Sequence, residues 1–492
     1  MLVQTIPEKW QMASTPGRKD NLVHNWHNQS NHHSVSISQP SKLEENRKSC
    51  CGRGGERRRS TRMQPTLGLW LFLSGHLVAN HSQAQHDFRA KRTTDYHFQG
   101  SGLQGKTQII HKIIATNTEF AFSLYRLLAT DTPDKNIFFS PLSISTAFAM
   151  LSLGARSTTQ MQILEGLGFN LNKITENEIH EGFKSLIHTV NLPSDELQMN
   201  MGNTLFIRKQ LNLWQKFLGE AHRLYSSKAF PTNFQDTTQA EKHINDYVAN
   251  KTRGRIMDIV KGLNSRTAMV LVSYVFFKAK WVMPFDPKDT REQKFYPANN
   301  VVLKVPMMIQ QGYHRFLQDT KLACSVLEMK YKHRTSALFI LPHEGKIQQV
   351  ENALSGATLI QWNRLLKIRP MELHFPRFSM TENYELKRIL IKLGIDDVFT
   401  VQADLSKITG RPNLKLSKVF HKALLNVSEE GTEAAADTVI KIPLVLPEFF
   451  PIEVVCFNRP FLVIILDTLT GSILFLGKVV DPYDTTILQL DL

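Results

Sequence analysis

The sequence predicts an α+β fold: one large folded body behind a polar N-terminal extension. Three observations predict it. Helical periodicity crowds the first half of the body and β-rich runs crowd the second, the pattern of helices set against mixed or antiparallel sheets. No internal repeat of solenoid length is visible. The composition also changes sharply after residue 62.

The chain has 492 residues, 42% of them hydrophobic, which is enough for a sizeable core. Its formal charge is +15. Residues 1–62 hold eleven Lys/Arg against five acids, so +6 of that charge sits in one short piece. The rest is spread thinly, and neither a nucleic-acid nor a membrane-binding face is expected. There are four Cys, with no disulfide framework and no zinc spacing. Cys324 and Cys456 read as two free thiols, with a bond between them as the alternative.

Residues 1–62 are rich in Asn, His, Ser, Gln and Arg and read as a disordered extension from an upstream start. His24, His27, His32 and His33 lie in this piece, and a polar tail is the plainer reading than a metal site. Residues 63–84 have the form of a secretory signal. Arg57-Arg58-Arg59 and Arg62 precede an apolar run from Leu67 to Ala79 that is too short to span a membrane. An interfacial or buried apolar segment is the alternative. Residues 85–113 form a polar leader. Within it Gly100-Ser-Gly-Leu-Gln-Gly105 matches a dinucleotide-binding pattern on paper, but no strand precedes it, so it reads as a linker.

Residues 114–492 form the body. Thr118–Ala129 is an amphipathic helix. Ile137–Phe139 is a short strand that enters a helix, with Ser140 suited to the cap and Pro141 to the first turn. That helix is apolar all round and must be buried. Helices follow at Thr159–Leu167, Glu176–Val190, Leu213–Tyr225 and Ala240–Val248. Strands are expected at Leu197–Ile207, Ala268–Ala279, Leu322–Tyr331 and Ser336–Leu341. Then come helices at Ile347–Leu354 and Leu359–Leu366, a strand at Met371–Ser379, a helix at Tyr384–Leu393 and a long strand at Leu414–Val427. Val454–Val463 and Ile473–Lys478 close the chain as strands.

One stretch fits neither a good helix nor a good loop. Glu429-Glu430-Gly431-Thr432-Glu433-Ala434-Ala435-Ala436-Asp437-Thr438 begins with two acids and a Gly, which suit a hinge. From Thr432 onward, alternate positions are small or apolar: Thr432, Ala434, Ala436, Thr438, Ile440 and Ile442. The intervening face holds every charge. That is the pattern of a strand able to slide between two others. An Ala-rich helix start or a solvated loop is the bland alternative.

No enzyme motif appears. There is no G-x-S-x-G elbow, no H-E-x-x-H and no phosphate-binding loop. His180-Glu181 and His343-Glu344 each lack a second His.

Several segments together resemble one family. Asn136-Ile-Phe-Phe-Ser-Pro-Leu-Ser-Ile-Ser-Thr-Ala-Phe-Ala-Met-Leu-Ser-Leu-Gly154 resembles the early helix motif of the serpins. So do Phe276-Phe-Lys-Ala-Lys-Trp281, His421-Lys-Ala, Glu429-Glu-Gly-Thr-Glu-Ala434, Phe457-Asn-Arg-Pro-Phe461 and Phe475-Leu-Gly-Lys478. The match runs over roughly 114–482 in order, and the chain is most similar to the secreted antitrypsin-type clade. The resemblance implies a single serpin domain with about nine helices, three β-sheets and an exposed reactive-centre loop. It implies a monomeric, secreted inhibitor rather than an enzyme, and no cofactor. A serine protease would be trapped as a covalent acyl complex when the cut loop inserts into the main sheet. A non-inhibitory relative that carries a small hydrophobic ligand, or acts as a binding module, is the alternative.

The family's count makes Gly431 the fifteenth residue before the cut. The reactive bond is then Val445–Leu446, with Leu444 as its competitor. An apolar residue there implies elastase-like or chymotrypsin-like targets. The hinge is Glu429, Gly431, Thr432, Glu433, Ala434, Ala435 and Ala436. Ser140, Ser143, Ser273 and His421 would form the sheet-opening network, where Ser273 stands in place of the family's usual Asn and is expected to weaken it. Asp437 and the prolines Pro443 and Pro447 also depart from the family pattern. Asn250-Lys-Thr252 is a credible glycosylation site, while Asn426-Val-Ser428 lies in a buried strand. Lys330, Lys332, His333, Arg334, Arg364, Lys367 and Arg369 could form a heparin surface. A merely solvated basic face is the plainer reading.

Overall fold

The computed structural model describes residues 101–192, 196–298, 300–412, 414–432 and 452–483, with side chains from residue 107. Val445, Leu446, Leu444, Glu433, Ala434, Ala435, Ala436 and Asp437 lie outside the described residues. So do the extension and the signal segment.

Helix α1 spans Ser101–Asp131, so the linker expected at 100–105 is in large part helical. Ile109 and Ile113, one turn apart, pack on Gly182 of α4 (Glu176–Val190), and that contact supports the early turns. Strand β1 (Ile137–Phe139) then leads into α2 (Pro141–Ser152). The Ser140 side chain accepts from the Ser143 N–H, Pro141 occupies the first turn, and every residue of α2 is buried. Helix α3 is Ser157–Gly166. Helix α4 starts on a capping box in which Thr175 and Glu178 satisfy each other's backbone N–H groups.

Next come β2 (Leu197–Arg208), α5 (Gln215–Tyr225), β3 (Lys228–Thr232), α6 (Thr237–Lys251) and β4 (Met269–Lys280). Strands β5 (Arg291–Phe295), β6 (Leu303–Asp319), β7 (Cys324–Lys330) and β8 (Thr335–Pro342) follow, then α7 (Ile347–Ala353) and α8 (Gly356–Leu365). The remaining elements are β9 (Lys367–Pro376), β10 (Phe378–Glu385), α9 (Lys387–Lys392), α10 (Ser406–Thr409) and β11 (Lys418–Ser428). After them come β12 (Gly431–Thr432), β13 (Glu453–Cys456), β14 (Phe461–Asp467) and β15 (Ile473–Val479).

The described strands form two sheets rather than the three expected. A six-stranded sheet has the order β10-β11-β12-β4-β2-β3. A nine-stranded sheet runs β1-β15-β14-β8-β7-β6-β9-β13, with β5 on β6. The joining element is β6, a continuous strand of 17 residues. Its start pairs with β5 and its end with β7, while β9 runs along most of its length. Sequence periodicity missed β6 because Pro306, Gly312 and its glutamines break the apolar alternation.

Several boundaries also differ, and in four places a partner strand or loop explains the change. Met371–Ser379 is two strands, split at Arg377, which bonds Pro306 O instead. Tyr384 is still strand, opposite His421, and the helix after it begins at Lys387. Leu414–Ser417 precede β11, which begins at Lys418. Val454–Val463 is interrupted because β13 joins β9, whereas β14 joins β8 and β15.

Two apolar clusters hold the body together. The larger fills the space among the helices and both sheets. The smaller joins β4 and β11, through Val270, Val272, Tyr274, Phe276, Phe420 and Leu424, to Ile244 and Val248 of α6 and Ile256 and Ile259 beyond it. The segment from α6 onward therefore lies over the outer face of the six-stranded sheet. Polar contacts clip it there: Asn200 Nδ2 to Lys251 O at 2.8 Å, Lys422 Nζ to Met257 O at 2.7 Å, and Asn383 Nδ2 to Ile259 O at 3.1 Å. Neither Cys324 nor Cys456 is in a disulfide. Burial pushes the Cys324 thiol up to about 12, so it stays protonated and unreactive.

Candidate functional site

The site is built at the junction of β4, β11 and β12. Strands β4 and β11 pair directly and in parallel from Val270–Lys418 to Phe276–Leu424. Beyond that last pair they part, and β12 occupies the gap. Gly431 lies opposite Lys280 and Ser428, and Thr432 lies opposite Ala279 and Val427. Both neighbours of β12 are antiparallel to it. The expected hinge thus begins as a strand between two others at Gly431 and Thr432.

Only glycine fits the entry. Gly431 has φ +145°, and a Cβ there would lie 2.2 Å from Ala279 O and 2.7 Å from Lys280 Cα. Thr432 is fully buried, as the small inward face predicts. Its hydroxyl lies 3.0 Å from the Tyr331 hydroxyl. Burial holds the Tyr331 phenol well above its ordinary range, so the proton needed for that bond is present. Tyr331 stacks on Trp281 with ring centroids 4.0 Å apart. Trp281 in turn donates Nε1–H to Ser428 O at 3.1 Å and its backbone N–H to Glu430 O at 2.8 Å. The Phe285 N–H reaches Glu429 O at 2.8 Å.

Glu429 is buried and held by its side chain as well. Its Oε1 accepts from Thr290 Oγ1 at 2.7 Å and lies 3.7 Å from Arg377 Nη1. Sequence reading did not find Thr290, Arg377 or Tyr331. They come from separate stretches with no local pattern that marks them. Trp281 stood in a recognised motif, but nothing local tied it to the hinge.

The four residues expected to form the sheet-opening network do meet. The Ser140 N–H donates to His421 Nε2 at 3.1 Å. That makes Nε2 an acceptor, so the ring proton sits on Nδ1, 3.1 Å from Ser273 Oγ. Ser273 can then donate to Ser143 Oγ at 2.8 Å. Asn203 of β2 adds Nδ2–H to Ser143 O at 3.3 Å. All four are buried. The Ser273 hydroxyl reaches both neighbours directly. Burial pushes the His421 imidazole down to about 3, which keeps it neutral and able to accept.

The remaining candidates are scattered. Asn250 is exposed in the last turn of α6, while the Thr252 hydroxyl bonds Val248 O at 2.9 Å. Asn426 is half-buried on β11. Among the basic residues, Arg334 is taken up by Asp467 at 3.1 Å and by Val190 O, and Lys332 lies 3.9 Å from Glu196. Lys330, Arg364, Lys367 and Arg369 are exposed on β7, α8 and β9. No helix among the described residues is long and apolar enough to cross a membrane.

Residues 115–482 match the family model for serpins, described as serine protease inhibitors. Human alpha-1-antichymotrypsin is 51% identical over 372 residues, covering 75% of this chain and 88% of that protein. Human kallistatin is 46% identical, covering 84% of this chain and 98% of its own. Among solved structures, human thyroxine-binding globulin complexed with thyroxine aligns with a TM-score of 0.73 at 43% identity, covering 76% of this chain and 100% of that one. The fold, the family match and these identities together show that the chain belongs to the serpin family.

Proposed function

We propose that this chain is a secreted inhibitor of serine proteases that works as a suicide substrate. The observation that carries the reading is the seating of Gly431 and Thr432 between β4 and β11. The register is already the one a longer inserted strand would need. Parallel β4 and β11 are offset so that each β12 residue meets one residue on either side. Extension past Thr432 requires only that the direct β4–β11 pairs separate. Each new rung replaces one contact with two, at about 0.5–1.5 kcal/mol net per hydrogen bond. The loop-out state is then the metastable one, and cleavage near Val445–Leu446, with Leu444 as competitor, releases the strand.

The same register accounts for Asp437. Carried forward one residue per rung, it sets Glu433 beside Lys278 and Asp437 beside Lys422. Both acids would fall on the outer face with a cation opposite. Asp437 is then compatible with insertion. The apolar residue at the cut favours an elastase-like target first and a chymotrypsin-like one second. Secretion is supported by the apolar run within 63–84 behind the arginines at 57–62, and glycan attachment by the exposed Asn250.

Incubation with neutrophil elastase and with chymotrypsin tests this. An SDS-stable complex is the expected result. Cleavage without a complex, and with no gain in heat stability, would overturn it. Similarity to thyroxine-binding globulin favours a second reading, a ligand carrier, which that negative result would support.

A further inference from the structure

Trp281 has a second neighbour besides the hinge. The chain leaves β4 through Trp281 and Met283, and there it walls a cleft of about 220 Å³ with β6, β7 and β9. Its rim is apolar and open. Met283, Tyr313 and Ile368 are 38%, 45% and 69% exposed. An ion pair between Arg315 and Glu328 lines it, with Arg315 also donating to Asn363 O at 2.8 Å. His314 lines it too. That side chain is 4% exposed, and its Nε2 has no hydrogen-bond partner. The imidazole sits against Gly312, where a Cβ would lie 3.1 Å from Nε2.

An unpaired buried nitrogen beside an open apolar rim is costly unless something pairs it. Burial also pushes His314 down to about 4, so the ring is neutral and does not attract an anion. A hydroxyl suits it best, because a hydroxyl can donate to or accept from either tautomer. The volume suits one or two fused rings.

We propose that this cleft binds a small aromatic alcohol, with its ring against the apolar rim and its hydroxyl on His314 Nε2. The cleft and the hinge share the Trp281 indole, which stacks on Tyr331 and holds Ser428 O. A bound ring braces that stack and slows strand insertion beyond Thr432. This last consequence rests on the loop-insertion reading, and the binding itself does not.

Calorimetry on the full chain with 2-naphthol and naphthalene tests the site. The expected result is saturable binding of 2-naphthol, at least tenfold tighter than naphthalene. His314→Phe should abolish that preference, and Ile368→Arg, on the exposed rim, should weaken both probes at least tenfold while the circular dichroism stays native. Absence of saturable 2-naphthol binding overturns the proposal, as does full preference retained in His314→Phe. If His314→Phe does not fold, unchanged binding to Ile368→Arg overturns it instead. Uptake of a peptide of sequence 432–442 is then timed with and without 2-naphthol. Slower uptake is expected, and unchanged uptake with binding intact overturns the coupling. Failure of the peptide to enter ligand-free protein counts against the inhibitor reading and leaves the cleft standing on its binding data.

Discussion

Ser273 and His421 face each other on adjacent parallel strands, with the serine hydroxyl 3.1 Å from the imidazole Nδ1. The same hydroxyl touches Ser143 of α2 at 2.8 Å. One small side chain therefore ties β4 to β11 and both to the buried helix beneath them. This tie must break before a strand can pass between β4 and β11.

Removing it should loosen the sheet. Ser273→Ala leaves the Nδ1–H of His421 and the Ser143 hydroxyl short of a partner in a buried site. The expected cost is about 1–3 kcal/mol, with faster polymer formation on warming. Thermal unfolding and native gels measure both. A variant with wild-type midpoint and polymer rate would show that the network does not hold the sheet closed.

Acid should have a similar effect. His421 titrates at about 3 in the folded chain, well below its ordinary 6.5. Between those values the unfolded chain binds a proton that the folded chain does not, so stability rises with pH across that window. Its contribution is full above about pH 6.5 and falls as pH drops towards 3, by roughly 1.4 kcal/mol per pH unit. His314, held down to about 4, acts in the same direction over a narrower range. His421→Asn should flatten the pH dependence of the unfolding midpoint in that window. An unchanged slope would refute the assignment.

Thr432 is buried against Ala279 and Val427. Thr432→Arg forces a charge into that space, where an unpaired ion is costly. Proteases should still cut the loop, but the covalent complex should fall to a minor product on SDS gels. Undiminished complex would mean that insertion does not pass through this seat.

Gly431→Ala should act one step earlier. Its Cβ would press on Ala279 O and Lys280 Cα, and a φ of +145° is strained for any residue with a Cβ. Expulsion of the hinge is expected, with loss of the Tyr331–Thr432 contact and a stability loss of roughly 1–3 kcal/mol. Hydrogen exchange at the Thr432 amide reports it directly, and retained protection would contradict it.

The Asp437 register gives a charge-swap test. Asp437→Lys should slow insertion, by like charge beside Lys422, and Lys422→Asp in the same chain should restore part of the rate. The rate at which the cleaved chain gains heat stability is the measurement. Equal rates in all three proteins would exclude the pairing.

Much of the body was legible in the sequence because its signals are local. Ser140-Pro141 sets the start of α2 by capping and by a fixed φ. Glu176–Val190 was found to the residue, because a capping box opens it and its apolar face repeats at helical spacing. The small-residue alternation from Thr432 is local too, and the structure puts Thr432 on the inward face it predicts. Other features were not legible, because they depend on partners far along the chain. Strand β6 carries Pro306, Gly312 and glutamines, and is a strand because β5, β7 and β9 supply its ladder. Glu429 reads only as one of two acids beside a hinge glycine until Thr290 and Arg377 converge on it.

By itself the sequence determined the α+β class, the family and the hinge pattern, since motif order, capping and period-two alternation need no coordinates. Tertiary structure alone decided that the hinge starts as a strand at Gly431, that Ser273 closes a network with Ser143 and His421, and that Trp281 is shared between the hinge and a second cleft. Each of these is a contact between residues far apart in the chain. Their geometry exists only after two sheets have packed and long loops have closed.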